Sequence, residues 1–294
     1  MGFYSIKDLE NLSGIKAHTL RIWEQRYNII TPKRTDTNIR LYDDTDLKFI
    51  LNISLLREYG YKISEISLMS ENEMRAEVVS LTEKKIKFPD QIQTLTIAMI
   101  DLDEERFEKV IAMNILQLGF EQTMINIIYP FLHRIGVLWM TGSISPAQEH
   151  FISNLIRQKI IVAIDGQPNH WNNKTKKFML FLPEGELHEI SLLFANYILR
   201  SRQQKVIYLG QSLPFADLES AYEMHKPDYL FTILTSFPSD NDAHKYITKL
   251  KDRFTETKIL LTGYQVVNIN LNVKAPNLIV FNNISQLVEL IEAS

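Results

Sequence analysis

The stretch KFMLFLPEGELHEIS, residues 177–191, sets the pattern of the C-terminal part of the chain. Residues 177–182 form a nearly continuous apolar run, which is typical of a strand buried on both faces of a sheet. A polar loop follows from Pro183 to Ser191, and the spacing beyond it predicts a helix over 189–202. This order of strand, loop and helix is the repeating unit of a parallel α/β sheet.

The same alternation continues to the end of the chain. Further short apolar runs lie at 206–209, 229–234, 259–261 and 278–280, with predicted helices at 215–225, 241–253 and 284–292. Five strands alternating with helices predict a Rossmann-like, doubly wound parallel five-stranded sheet over residues 175–294. Such sheets bind ligands beyond the carboxyl ends of their strands, where the loop 183–191 is expected.

This loop carries the first candidate ligand of the chain. Glu186 precedes His188 by two residues, so the carboxylate can hold one imidazole nitrogen while the other binds a metal or a partner. The alternative is a solvated loop histidine with no ligand, and the residues of the loop alone leave both open.

Helices are predicted over the first 168 residues. A helix capped by Ser5, the turn Ser13-Gly14, a second helix ending at Tyr27 and a polar hairpin predict a winged helix-turn-helix over 1–72. Residues 73–90 are rich in Glu and Lys and predict a linker, either a polar helix or a tether. Over 91–168 the helical spacing and the start signal Ser145-Pro146-Ala147-Gln148 predict a four-helix bundle. We therefore expect a multidomain protein.

Composition and charge exclude several classes of function. The 294 residues carry a net charge of −3, yet residues 16–40 hold six basic side chains against two acidic ones, a net charge of +4. A basic patch on an acidic body suits a DNA-reading head. The chain has no cysteine, which excludes disulfides, thiolate metal sites and a cysteine nucleophile. Without a signal-like N-terminus or a long apolar run, we expect a soluble cytoplasmic protein with no membrane partner.

The residues of the basic patch resemble a known DNA-binding head. The string from Thr19 to Tyr27, with Pro32, Arg34 and Arg40-Leu41-Tyr42, resembles the winged helix-turn-helix of the MerR family of transcriptional regulators. This resemblance implies double-stranded promoter DNA as partner, a homodimer or homotetramer, and RNA polymerase as a further candidate partner. The DNA-binding residues that it implies are Thr19, Arg21, Arg26, Tyr27, Lys33, Arg34, Asn38, Arg40 and Tyr42, with Asn38 where many members have Gly.

A second resemblance covers the sheet and the bundle. Glu186-x-His188-x-x-Ser191, Tyr208-Leu209-Gly210 and Thr262-Gly263 resemble the cobalamin-binding domain of methionine synthase and corrinoid mutases. Trp139, followed after nine residues by Glu149-His150, resembles the adenosylcobalamin-dependent, light-responsive MerR-type repressors of carotenoid synthesis. The resemblance implies adenosylcobalamin between bundle and sheet, with His188 on cobalt. The cofactor-binding residues that it implies are Trp139, Glu149, His150, Glu186, His188, Ser191, Gly210, Thr235, Ser236, Thr262 and Gly263.

Three positions depart from the family pattern. Ser191 and Thr262 replace glycines, and Ile233 stands where the family has a serine that contacts the cobalamin tail, with Thr235 and Ser236 as nearby substitutes. The sequence therefore predicts a cobalamin-controlled transcriptional regulator and not an enzyme. One alternative is a regulator whose degenerate C-terminal domain binds another partner, and a further one is a corrinoid methyl-carrier protein, for which a DNA-binding head has no role.

Overall fold

The computed structural model describes residues 3–34, 40–83, 88–168, 175–235, 240–268 and 275–292. The chain divides into two compact units, Met1–Leu155 and Ile156–Ser294.

The N-terminal part of the first unit is a small winged helical domain. Its elements are β1 (Phe3–Tyr4), α1 (Ile6–Ser13), α2 (Ala17–Tyr27), β2 (Lys33–Arg34), β3 (Arg40–Asp43), α3 (Asp44–Glu58), α4 (Ile63–Ile66) and α5 (Glu71–Glu83). Strand β3 pairs antiparallel with both β1 and β2. The predicted helix-turn-helix corresponds to α1 and α2, and β2 with β3 forms the wing.

Short-range capping positions these helices. The Asp8 backbone N–H donates to Ser5 Oγ at 3.2 Å, and the Ser5 backbone N–H donates to Asp8 Oδ2 at 2.7 Å. Asp43 caps α3 in the same way, since its carboxylate accepts from the backbone of Thr45 and Asp46. These bonds satisfy N–H groups that the first helical turn leaves without a partner.

The segment predicted as a linker is a helix over its first part. In α5, Met74 and Val78 are buried in the same hydrophobic core as Leu9, Leu20 and Ile50 of the head. The Tyr61 hydroxyl also donates to Glu77 Oε1 at 2.6 Å. Residues 71–83 therefore pack on the head as a helix and do not behave as a free tether.

The next elements along the chain are the helices α6 (Pro89–Asp101), α7 (Glu104–Leu118), α8 (Phe120–Thr123), α9 (Tyr129–Met140) and α10 (Pro146–Asp165). A π-helical turn, Met124–Ile128, joins α8 to α9. Because α8, the π turn and α9 run on without a break, the described residues supply the four helical segments that were predicted. The start signal of α10 is confirmed, since Ser145 N donates to Gln148 Oε1 at 2.9 Å. Helix α10 crosses the boundary between the two units.

The second unit contains the predicted sheet. Its elements after α10 are β4 (Lys177–Pro183), α11 (Ile190–Ser201), β5 (Lys205–Leu213), α12 (Phe215–His225), β6 (Tyr229–Ile233), α13 (Asp240–Arg253), β7 (Lys258–Thr262), α14 (Tyr264–Asn268), β8 (Leu278–Val280) and α15 (Ile284–Glu292). Among the described residues the sheet is parallel, with strand order β5-β4-β6-β7-β8. The doubly wound fold class is confirmed.

This strand order locates the ligand-binding edge. From β4 the chain first moves outward to β5 and then returns to the other side of β4 to form β6. The loops that leave β4 and β6 therefore diverge, and the crevice between them is where sheets of this order bind ligands. The loop that leaves β4 carries Glu186 and His188.

Candidate functional site

Helix α2 presents the exposed cations of the head. Leu20 and Trp23 are buried, whereas Arg21 and Arg26 are exposed. The Arg57 guanidinium lies over the Trp23 ring at 5.1 Å from its centroid. Arg21 and Arg26 thus have the exposure that contacts with DNA phosphates and base edges require.

Two cations of the wing hold the wing in place. Arg40 Nε lies 3.1 Å from Glu24 Oε2, so this half-buried pair ties β3 to α2. Lys33 Nζ lies 2.8 Å from Asp43 Oδ2, and hydrogen bonding to Lys33 and the Asp46 backbone lowers the pKa of Asp43. Arg34 is exposed, whereas Asn38 lies outside the described residues.

The aromatic residues proposed for DNA contacts differ in exposure. Tyr42 is 1% exposed and lies in the core of the head, so its side chain positions β3 and does not face solvent. This burial corrects the expectation of a DNA contact, because a large aromatic ring on the inner face of a strand contributes to the core. Tyr27 is half-buried with Arg26 5.9 Å from its ring centroid, and Thr19 Oγ1 lies 3.3 Å from His18 Nε2.

The loop after β4 forms a histidine site in the second unit. The carboxylate of Glu186 is 2% exposed, and its Oε1 lies 2.6 Å from Nδ1 of His188. Its Oε2 accepts a hydrogen bond from the Thr235 backbone N–H at 2.8 Å, just beyond β6. Glu186 thus spans the crevice between the loops that follow β4 and β6.

The contact with Glu186 orients the imidazole of His188. A carboxylate only accepts hydrogen bonds when ionised, so Glu186 favours the tautomer with the proton on Nδ1 of His188. The other nitrogen, Nε2, then keeps its lone pair, and 61% of the His188 side chain is exposed. A neutral imidazole is a common metal ligand, so the pair of Glu186 and His188 fits the cobalt of a corrinoid.

The loop is also fixed through its backbone. The Gly185 N–H donates to Ser212 Oγ at 3.1 Å, and the Ser212 N–H donates to the Glu186 carbonyl at 3.2 Å. Gly210 adopts a φ of 79° within β5, and Ser191 lies half-buried in the first turn of α11. These contacts bring Glu186, His188, Gly210 and Thr235 together at one edge of the sheet.

The family pattern has two successive glycines, whereas this chain has Thr262 followed by Gly263. A Cβ on Gly263, whose φ is 113°, would lie 2.4 Å from the Leu234 carbonyl oxygen. Thr262 is the last residue of β7 and pairs with the buried Ile233 of β6, where a side chain is accommodated. The close approach therefore requires glycine at 263 and not at 262, while Ser236 lies outside the described residues.

We expect Gly263→Ala to destabilise the second unit. The positive φ and the clash with the backbone of Leu234 together should lower the free energy of unfolding by about 1–3 kcal/mol. Denaturant unfolding measures this cost, and Gly136→Ala is the control because nothing lies within 4 Å of a Cβ built there. Equal unfolding midpoints for the two variants would contradict the prediction.

The residues that the resemblance assigns to the bundle lie in the first unit. Lys48 Nζ lies 5.2 Å from the centroid of the Trp139 ring, and Trp139 packs against the core of the head. Glu149 Oε2 lies 2.7 Å from His150 Nδ1 in the first turns of α10. The Asn52 side-chain amide also donates to the Met140 carbonyl at 3.3 Å, which links α3 to the end of α9.

Comparisons with known protein families agree with both resemblances. Residues 4–73 match the family described as MerR HTH family regulatory protein. Residues 91–163 match the family described as B12 binding domain. The chain joins a MerR-type DNA-binding domain to a B12 binding domain. The second match covers α6, α7, α9 and most of α10, so it falls on the helical region.

Two relatives share most of the length of the chain. Over 254 residues the chain is 27% identical to the HTH-type transcriptional repressor CarH of Myxococcus xanthus, covering 84% of each protein. It is 24% identical over 250 residues to the repressor CarA of the same organism, covering 84% of this chain and 81% of CarA. Both relatives are regulators, in line with the prediction that the chain is not an enzyme.

A solved structure is similar in fold to about two thirds of the chain. The Methanosarcina barkeri monomethylamine corrinoid protein superposes with a TM-score of 0.53 at 13% identity, covering 68% of this chain and 96% of that protein. At this identity the likeness concerns the fold alone. None of the helices among the described residues is long and apolar enough to cross a bilayer.

Sequence reasoning missed a second anchor of the histidine loop. Glu189 Oε1 accepts from the Tyr208 hydroxyl at 2.9 Å, and Glu189 Oε2 lies 2.9 Å from Arg157 Nη2 of α10. Burial, together with the nearby Glu189 charge, raises the pKa of Tyr208, so its hydroxyl keeps its proton and remains a donor. The only signal in the sequence was the position of Glu189 directly after His188.

Exposed apolar residues around the loop were also missed. Leu187, Tyr264 and Val267 are exposed near the carboxyl ends of β4 and β7. Exposed apolar side chains at a ligand-binding edge are suited to contact with a large, largely apolar ring system. They add to the fit between this edge and a corrin.

Proposed function

We propose that this MerR-type protein is a transcriptional regulator that binds promoter DNA through its head and whose DNA affinity is set by adenosylcobalamin. The observation that carries the proposal is the pair formed by Glu186 and His188 at the crevice between β4 and β6. The relatives CarH and CarA are named as transcriptional repressors, which supports the same function.

In this proposal the second unit would supply a nitrogen ligand to the cobalt. His188 offers Nε2, Glu186 orients the imidazole through Nδ1, and the Thr235 N–H holds Glu186 in place. Bound adenosylcobalamin supplies a cobalt that takes a nitrogen ligand and a cobalt–carbon bond that light cleaves. Gly263 permits the close approach of the β7 loop to Leu234, while Ser191, Gly210 and Thr262 line the same edge by resemblance.

The first unit supplies the remaining residues of the proposal. By resemblance, Trp139, Glu149 and His150 face the deoxyadenosyl group. In the head, Arg21, Arg26 and Arg34 contact phosphates and bases, whereas Lys33 and Arg40 hold the wing against Asp43 and Glu24. A change at Trp139 is well placed to affect the head, because Lys48 of α3 lies over its ring.

The finer parts of the proposal concern assembly and partners. A homodimer or homotetramer pairs the heads on a pseudo-palindromic site, since one head reads only a short half-site. RNA polymerase is a further partner at the promoter. Regulation of transcription also places the protein in the cytoplasm. Ligand control then requires that adenosylcobalamin bind the DNA-competent assembly more tightly than the other state.

The test measures DNA affinity in three ligand states. Duplex DNA selected from a random-sequence library by the corrin-loaded protein is titrated with the protein free of corrin, loaded in the dark, or loaded and then illuminated. We expect the dark-loaded protein to bind at least about tenfold more tightly than the other two states.

Two results would change this proposal. Equal affinity in all three states would contradict cobalamin control and favour a C-terminal domain that binds another partner. A difference between loaded and corrin-free protein that light does not alter would contradict the light response and indicate that the protein senses the abundance of the cofactor.

A further inference from the structure

Glu189 occupies an unusual position for a carboxylate. It lies at the N-terminus of α11, where an acidic side chain ordinarily bonds to the first backbone N–H groups of the helix. Here its side chain makes no such capping bond. The carboxylate is 10% exposed and instead contacts Tyr208 and Arg157. The Glu189 side chain thus makes tertiary contacts and does not cap α11.

These contacts place an anchor on each side of His188. On the N-terminal side, Glu186 is bound to His188 Nδ1 and to the Thr235 N–H. On the C-terminal side, Glu189 is bound to β5 through Tyr208 and to α10 through Arg157. Between the two anchors, Leu187 and His188 are exposed.

The two anchors differ in their surroundings. Glu186 is buried and bound within the sheet region, so movement there would break hydrogen bonds that water cannot replace. The Arg157 side chain is 46% exposed, so its ion pair with Glu189 can open at low cost. If His188 is displaced, the ion pair between Arg157 and Glu189 should therefore open before the hydrogen bonds of Glu186 break.

We propose that Glu189 is a positioning residue for His188 and that Arg157 transmits the position of this histidine to helix α10. The proposal rests on the proposed function, because it takes His188 as the ligand of cobalt. Helix α10 carries Glu149 and His150 in its first turns, so the ion pair connects the histidine loop to the helix that carries these two residues. Tyr208 keeps Glu189 in place when the ion pair opens.

The test uses the full-length variants Arg157→Gln, Arg157→Lys and Tyr208→Phe. The control is Arg253→Gln, because Arg253 is a similarly exposed arginine of the same unit that pairs with Glu219 and Glu223 on α12. The first readout is hydrogen exchange of residues 184–192 in the protein free of corrin. We expect Arg157→Gln and Tyr208→Phe to raise the exchange rate by about tenfold. Arg157→Lys should stay close to the wild-type rate, because it keeps the positive charge.

The second readout is spectroscopic. After loading with adenosylcobalamin in the dark, the fraction of histidine-ligated corrin is read from the absorbance spectrum, and its release is timed by gel filtration. We expect Arg157→Gln to release corrin at least about threefold faster, with a smaller histidine-ligated fraction, and Arg157→Lys to resemble the wild type.

The outcomes separate this proposal from the proposed function. A wild-type protein that holds no corrin would overturn both. A wild type that holds corrin, with Arg157→Gln equal to it in exchange and spectrum, would overturn the positioning role alone. The same would follow if Arg253→Gln changed both readouts as much as Arg157→Gln.

Discussion

His188→Ala is expected to remove the histidine-ligated cobalamin spectrum and to weaken corrin binding by at least about 100-fold. Loss of a residue that only supports a metal ligand typically costs 10–100-fold, so loss of the ligand itself should cost at least as much. Because 61% of the His188 side chain is exposed, truncation creates no cavity in the core. The protein is loaded in the dark, desalted, and its visible absorbance is compared with its far-ultraviolet circular dichroism.

Two further variants sharpen this experiment. His225→Ala removes another exposed histidine of the same unit, at the end of α12, and should leave the spectrum unchanged. Glu186→Gln keeps the shape of the side chain but removes its charge, so we expect an intermediate loss of affinity. An unaltered corrin spectrum in His188→Ala would refute His188 as the cobalt ligand.

The double substitution Arg21→Ala/Arg26→Ala is expected to weaken DNA binding by at least about 100-fold at moderate salt. Arg21 and Arg26 are exposed on α2, whereas Leu20 and Trp23 of the same helix are buried, so the two arginines are available to DNA. If both contact phosphates, the slope of log affinity against log salt should fall by about two, since each lost phosphate contact removes about one. Fluorescence anisotropy at several salt concentrations measures both quantities.

Arg75→Ala is the control for this loss of charge. Arg75 pairs with Glu71 on α5, so we expect its loss to change DNA affinity only slightly. Arg40→Ala should act through the fold, because the half-buried contact with Glu24 ties the wing to α2. An unchanged salt slope in the double variant would show that Arg21 and Arg26 do not contact phosphates.

Features that depend on near neighbours in the chain were predicted well. The alternation of apolar runs and amphipathic helices predicted the parallel sheet, because strand and helix periodicities differ in any environment. The caps at Ser5 and Ser145 were also predicted, since their partners lie three residues away. Glu186 and His188 could be paired from the sequence for the same reason.

Features that depend on distant residues needed the tertiary structure. The pairing of Arg40 with Glu24 and the burial of Tyr42 depend on how the wing packs on the head. The requirement for glycine at 263, and not at 262, depends on how closely the Leu234 backbone approaches. No spacing in the chain reports such distances.

The sequence by itself determined the order of the elements, the basic head and the histidine with its neighbouring carboxylate. The tertiary structure decided which residues hold that carboxylate, since the Thr235 N–H reaches Glu186 from 49 positions away. It also decided that Glu189 binds Tyr208 and Arg157 instead of capping α11. The physical reason is that periodicity and capping arise from neighbours within a few residues, whereas a buried carboxylate is satisfied by whichever donors the folded chain brings to it.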